Sequence, residues 1–152
     1  MAQTQTSSPT AASSASTPAT RVVESLVDAF RAMDIERAVA LFADDAVYQN
    51  VPFPPGRGRE KIRRTLQRFA RVATGFDVRM HHMVERDGVV LTERTDTIRG
   101  PVLDLEFWVC GTFEVRDGKI VLWRDYFDLA TVGAQVLTSP LRRLLRRQPR
   151  ER

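Results

Sequence analysis

The apolar positions along the chain fall into two regimes. From Thr17 to about Val72 they recur at helical spacing, and after Gly75 they alternate. Thr17 followed by Pro18 marks a helix entry, an N-cap residue ahead of proline at the first helical position. Val23, Leu26, Val27, Phe30 and Met33 then share one side. Asp34 can cap a second helix that buries Ile35, Val39 and Phe42. The segment AVYQNV (46–51) reads as a short strand, broken by PFPPGRG with its three prolines and two glycines. A third helix, from about Gly58 to Val72, buries Ile62, Leu66 and Phe69 and turns Arg59, Arg63 and Arg64 outward. In the second regime, FDVRMHHMVERDGVVLTERTDTI and PVLDLEFWVCGTFEVRDGKIVLWRDYFDL each hold two alternating runs joined by Arg-Asp-Gly, a strong hairpin signal. Helices followed by four long antiparallel strands predict an α+β domain in which a curved sheet wraps around the helices and leaves a cavity.

Composition trims this picture at both ends. The 152 residues suit one domain, and 43% hydrophobic content suits a globular one. The first twenty residues carry no charge and no aromatic, so residues 1–17 read as a disordered Ser/Thr/Ala-rich leader, 18–138 as the folded domain and 139–152 as a basic tail. The net charge of +4 belongs to that tail: residues 141–152 hold six arginines and one glutamate, a net of +5, which leaves −1 for the rest. A near-neutral body without a basic, aromatic-interleaved stripe excludes nucleic acid as the expected partner. The single Cys110 cannot form an intrachain disulfide, and neither a secretory signal nor a membrane-spanning run is present. A cytoplasmic protein is the expectation.

The chemistry lies where the alternation is violated. In VLTERTDTI (90–98), Arg94 and Asp96 share a strand face with Val90, Thr92 and Ile98. In IVLWRDYFDL (120–129), Asp125 shares a face with Val121, Trp123 and Phe127. On the short early strand, Tyr48 and Asn50 share a face. An Arg-x-Asp pair alone fits an interstrand salt bridge. Asp125, however, needs a counter-charge on so apolar a wall, because an unpaired carboxylate there would cost several kcal/mol. Arg94 is the natural partner. One arginine between two carboxylates in a water-poor pocket carries −1 unless one proton is held, so the pair should titrate as a coupled unit that retains a proton near neutrality. Such a pair offers a general acid and a general base together. Tyr48 and Asn50 could hold a water, Asp125 remove its proton and Asp96 protonate a leaving oxygen. Epoxide opening fits, since ring strain is released without a metal or organic cofactor.

YQN, LTERTD and LWRDYFD, in this order and at this separation, together with FWVCGTFEV, resemble the limonene-1,2-epoxide hydrolase family, and within it the mycobacterial epoxide hydrolases. The resemblance spans roughly residues 20–130. It implies an NTF2-like, SnoaL-like or cystatin-like cone: a curved, mixed but mostly antiparallel sheet around three N-terminal helices, with a deep apolar pocket. It further implies a cofactor-independent, metal-free epoxide hydrolase that forms a vicinal diol in one step. The implied catalytic residues are Asp96, Arg94, Asp125, Tyr48 and Asn50. Trp123, Phe127, Leu105 and Phe107 would contact a small lipophilic epoxide, water is the co-substrate, and a homodimer is expected. An isomerase or cyclase of the ketosteroid-isomerase or SnoaL kind, and a non-catalytic ligand-binding module, are the alternatives the same fold would host.

Other conspicuous residues carry less. His81 and His82, adjacent on a strand, should face opposite sides and so are read as structural or surface groups rather than metal ligands. Glu93, Glu106 and Arg124 belong to the outer sheet face. After Ser139 and Pro140, which can restart a helix, leucines alternate with paired arginines; the pattern fits contact with an anionic membrane, but a solvated terminus is the simpler expectation.

Overall fold

A computed structural model describes residues 17–101 and 104–146, the last nine of these as backbone only. The expected leader, apart from Thr17, and the end of the basic tail lie outside the described residues. Helix α1 (Pro18–Arg31) starts where the sequence marks it: Thr17 Oγ1 accepts the Thr20 amide at 3.2 Å, and Pro18 occupies the first turn. It buries Val23, Leu26 and Phe30, with Val27 only half-buried. Helix α2 (Ile35–Ala40) is capped by Asp34, whose side chain accepts from the Arg37 amide at 3.0 Å. It ends before Phe42, a residue expected in the helix. Phe42 instead opens strand β1 (Phe42–Val51), which is longer than the expected 46–51. The two-residue strand β2 (Gly56–Arg57) folds back onto β1 within the segment expected to be a plain break. Helix α3 (Arg59–Val72) follows, burying Ile62 and Leu66. Its outward arginines pair with acids of the preceding elements, Arg59 with Asp44 and Arg63 with Glu36.

The period-two half forms β3 (Gly75–Arg86), β4 (Val89–Arg99), β5 (Asp104–Arg116) and β6 (Lys119–Phe127). Both Arg-Asp-Gly turns hold Asp and Gly at positive φ (Asp87 53°, Gly88 79°; Asp117 50°, Gly118 71°), the conformation that matches the twist of a hairpin. The sheet order is β2-β1-β6-β5-β4-β3. All neighbours are antiparallel except β1 and β6, which run parallel with Tyr48 opposite Trp123 and Asn50 opposite Asp125. The sheet is therefore mixed, and α1–α3 cover its inner face. The core gathers around Trp123, whose ring lies 4.3 Å from Tyr48, 5.6 Å from Phe30 and 5.8 Å from Phe113, centroid to centroid.

Two bulges correct the simple alternation. On β6, Leu122 pairs with Glu114 and Ile120 with Val115, so Val121 is the extra residue. Ile120, fully buried, takes the inward place expected for Val121. On β3, Met80 pairs with Arg94 and His82 with Glu93, which leaves His81 as the extra residue. Both histidines consequently face outward, not oppositely as strict alternation requires: His81 Nε2 meets Thr95 Oγ1 at 2.8 Å and His82 Nδ1 meets Glu93 Oε2 at 2.7 Å.

A fourth helix, α4 (Leu129–Arg146), is a larger correction. The helix was expected only after Ser139 and Pro140. Its start is set by Asp128, which accepts the Ala130 amide at 2.9 Å and the Thr131 hydroxyl at 2.6 Å.

Candidate active site

Register across the inner face explains how residues distant in sequence meet. Successive rows read Met83, Thr92, Gly111, Asp125 and Asn50, and beside it Met80, Arg94, Val109 and Phe127. Arg94 stands on β4 and Asp125 on β6, with β5 between them, so two strand spacings of roughly 5 Å each separate the backbones. The guanidinium crosses that gap. Its Nε donates to Asp96 Oδ1 at 2.9 Å, its Nη2 to Asp125 Oδ2 at 2.7 Å, and its Nη1 to Thr92 Oγ1 at 3.0 Å. Arg94, Asp96 and Asp125 are 4%, 5% and 5% exposed, so water does little to screen these charges.

Burial raises the Asp96 pKa from 3.8 to about 6, against the charge and hydrogen bond of Arg94, and the nearby Asp125 charge adds to the rise. Burial also raises the pKa of Asp125, again against Arg94. The neighbouring Trp123 indole pulls Asp125 the other way, its N–H lying nearby without a hydrogen-bond partner. For Arg94, burial alone would lower the pKa, but Asp125 and Asp96 outweigh it and the guanidinium stays charged. Tyr48 is pushed well above its ordinary value by burial and by the Asp125 charge, so it remains a phenol. Asn50 Nδ2 donates to the Tyr48 oxygen at 2.7 Å, which leaves the phenol proton and the amide oxygen of Asn50 for other partners. Asp125 Oδ1 is buried without a protein hydrogen-bond partner.

A cavity of about 320 Å³ opens over these groups. Tyr48, Asn50, Asp96 and Asp125 line it, as do all four residues expected at an apolar wall, Trp123, Phe127, Leu105 and Phe107. The rest of the lining is mostly apolar, from Phe30 of α1 to Phe69 of α3. Arg94 lies instead with Thr92 and Phe113 on the side of α1, behind the carboxylates. It bridges the two acids from the rear. Besides wall residues such as Phe76 and Ile98, Thr92, Gly111 and Val132 escaped sequence reasoning. Thr92 looks like an ordinary strand residue; Gly111 gave one signal, a glycine in the middle of a long strand; and Val132, which reaches the cavity from α4, belongs to an element placed too late in the chain. Among the described residues no group of three or more His, Cys, Asp or Glu side chains could hold a metal ion.

A family model described as the limonene-1,2-epoxide hydrolase catalytic domain matches residues 17–138. The chain belongs to that family. Epoxide hydrolase EphG of Mycobacterium tuberculosis is 44% identical over 107 residues, covering 70% of this chain and 71% of that protein. The structure of an M. tuberculosis epoxide hydrolase described as like the limonene-1,2-epoxide hydrolases superposes with a TM-score of 0.77 at 38% identity, over 85% of this chain and 96% of the other. As a member of the limonene-1,2-epoxide hydrolase family, the protein is an epoxide hydrolase. The fold reaches further than the family. A SnoaL-like protein from Shewanella denitrificans, described as a putative polyketide cyclase, gives a TM-score of 0.73 at 17% identity over 79% of this chain and 97% of its own, a likeness of fold alone.

Proposed function

We propose that this epoxide hydrolase opens a lipophilic epoxide to a vicinal diol in one step, with Asp125 as general base, Asp96 as general acid and Arg94 as the bridge between them. The observation that carries the proposal is the pair of carboxylates hydrogen-bonded to one buried guanidinium in the wall of an apolar cavity. The two acids are distinguished by their neighbours. Asn50 stands directly across from Asp125 in the parallel β1–β6 pair, and Tyr48 is hydrogen-bonded to Asn50. A water that accepts from the Tyr48 phenol and donates to the Asn50 carbonyl and to Asp125 Oδ1 keeps one lone pair free for attack. As its oxygen bonds to an epoxide carbon, its proton passes to Asp125. The ring carbon–oxygen bond breaks, and the leaving oxygen takes the proton of Asp96. The pair begins and ends with one proton, so its transfer back to Asp96 resets the site. No cofactor enters this scheme.

Lipophilicity is supported by the phenylalanine, leucine and tryptophan lining. We further propose a cytoplasmic homodimer that pairs through the outer sheet face, where Val84, Leu91, Trp108 and Tyr126 are 61%, 49%, 50% and 41% exposed. No described helix is long and apolar enough to cross a membrane. The deciding experiment offers epoxides of increasing size in heavy-oxygen water and follows diols by mass spectrometry. One labelled oxygen per diol is expected. Product that carries no solvent oxygen would move the chemistry to isomerisation or cyclisation.

A further inference from the structure

We infer that Thr92 and Gly111 form a seat that fixes Arg94 between its two carboxylates, which makes them positioning residues of the reaction; the inference rests on the Asp-Arg-Asp scheme above. Thr92 and Gly111 are a cross-strand pair, and Gly111 in turn faces Asp125. The guanidinium of Arg94 therefore has to pass over β5 where Gly111 stands. A Cβ built on Gly111 would lie within 3.0 Å of Arg94 Nη1, at 2.6 Å from Thr92 Oγ1 and at 2.9 Å from Asp125 Oδ1. Only the absence of a side chain opens this passage, and the φ of Gly111 is not the reason, since no left-handed backbone occurs there.

Thr92 supplies the other half. Its hydroxyl, 4% exposed, points toward the Gly111 carbonyl across a long 3.5 Å contact and accepts from Arg94 Nη1 at 3.0 Å. With the hydroxyl proton directed at the carbonyl, a lone pair faces the guanidinium. The three nitrogens of Arg94 are thus held by three different acceptors, while Phe113 stacks below at 5.9 Å from the guanidinium carbon to the ring centroid. With Nε and Nη2 on the two carboxylates, the guanidinium could still turn about the line that joins them, and the Nη1 bond to Thr92 stops that motion. Neither Thr92 nor Gly111 lines the cavity over the carboxylates, so Thr92 reaches the substrate through Arg94, and Gly111 through Arg94 and the facing Asp125.

The test compares Thr92→Val, Thr92→Ser and Gly111→Ala in the full chain with a turned-over epoxide. Thr92→Val should lower kcat by about tenfold with KM unchanged, the effect of one lost hydrogen bond to a charged group. Thr92→Ser should restore most of it. Gly111→Ala should lose on the order of a hundredfold, the scale of an ångström's misplacement. Nitrogen NMR of the Arg94 side chain supplies a readout that does not depend on turnover: rotation about the guanidinium bond should be slow in the wild type and in Thr92→Ser and fast in Thr92→Val, where the unfolding temperature also shows that the domain is intact. Asp125→Asn, run in parallel, separates the two levels. Wild-type turnover in Asp125→Asn would remove the acid–base scheme and this inference with it. An inactive Asp125→Asn beside Thr92→Val with wild-type kcat and slow guanidinium rotation would overturn the seat alone.

Discussion

Asp96 and Asp125 accept from the same guanidinium, yet in the proposed scheme their surroundings give them opposite work. Asp125, beside Asn50 and Tyr48, should be indispensable for taking a proton from water, and Asp125→Asn should cut kcat by about 10²–10⁴. Stopped-flow or steady-state diol formation reads this directly. Asp96→Asn should fall in the same range, and it makes a second prediction about stability. Burial pushes the Asp96 carboxyl up to about 6 in the fold from its ordinary 3.8, so the folded state binds that proton more tightly. Its contribution is complete below 3.8 and lost as pH rises through about 6. Asparagine does not titrate there. The unfolding temperature of Asp96→Asn should therefore gain on the wild type as pH rises through this window, and a constant difference would count against a buried, shared proton. Arg94, Asp96 and Asp125 were legible in the sequence because each is a charge on an apolar strand face. Thr92 and Gly111 were not, because a threonine suits any strand and a glycine marks only a missing side chain; the passage over β5 exists only once the register is known.

At the scale of elements, the hairpins and the caps at Thr17 and Asp34 followed from local chemistry, while the bulges and α4 did not. A bulge is the pairing of two residues against one, a property of both strands, so neither Val121 nor His81 announces it alone. Helix α4 opens with an Asp128 cap, but Thr131, Val132 and Gly133 have weak helix propensity and hide it. What holds it is tertiary. Beyond Val109, the last β5 residue paired with Phe127, β6 no longer covers β5, and the Gln135 amide takes up the exposed backbone of Glu106. It donates to the Glu106 carbonyl at 2.5 Å and accepts its N–H at 2.9 Å. Gln135→Leu removes both bonds, each worth about 1 kcal/mol. The expected result is faster hydrogen exchange at the Glu106 amide and a several-fold rise in KM, since Val132 of α4 closes the cavity, with kcat little changed.

At the scale of the whole molecule, charge balance placed the basic character in the tail and the alternation placed an open sheet on one side, yet neither says what covers that side. If a second copy does, negative charge introduced at the centre of the exposed apolar residues should separate the subunits. Trp108→Glu combined with Leu91→Glu is expected to convert a dimer to a monomer in sedimentation equilibrium, and an unchanged mass would point to another surface. The parallel pairing of β1 with β6 has a different kind of consequence. Tyr48 and Asn50 lie near the beginning of the chain, and Asp125 is among the last strand residues made. Until β6 docks, β1 has only the two residues of β2 beside it, and Arg94 has one carboxylate instead of two. The β5–β6 hairpin is local, whereas the pairing of β6 with β1 is long-range and carries a loop entropy that its contacts must repay, so the joining of β1 to the sheet and the meeting of Asn50 with Asp125 are one event. Under the proposed scheme, a chain released before residue 119 would hold the acid, Asp96, and lack the base, Asp125.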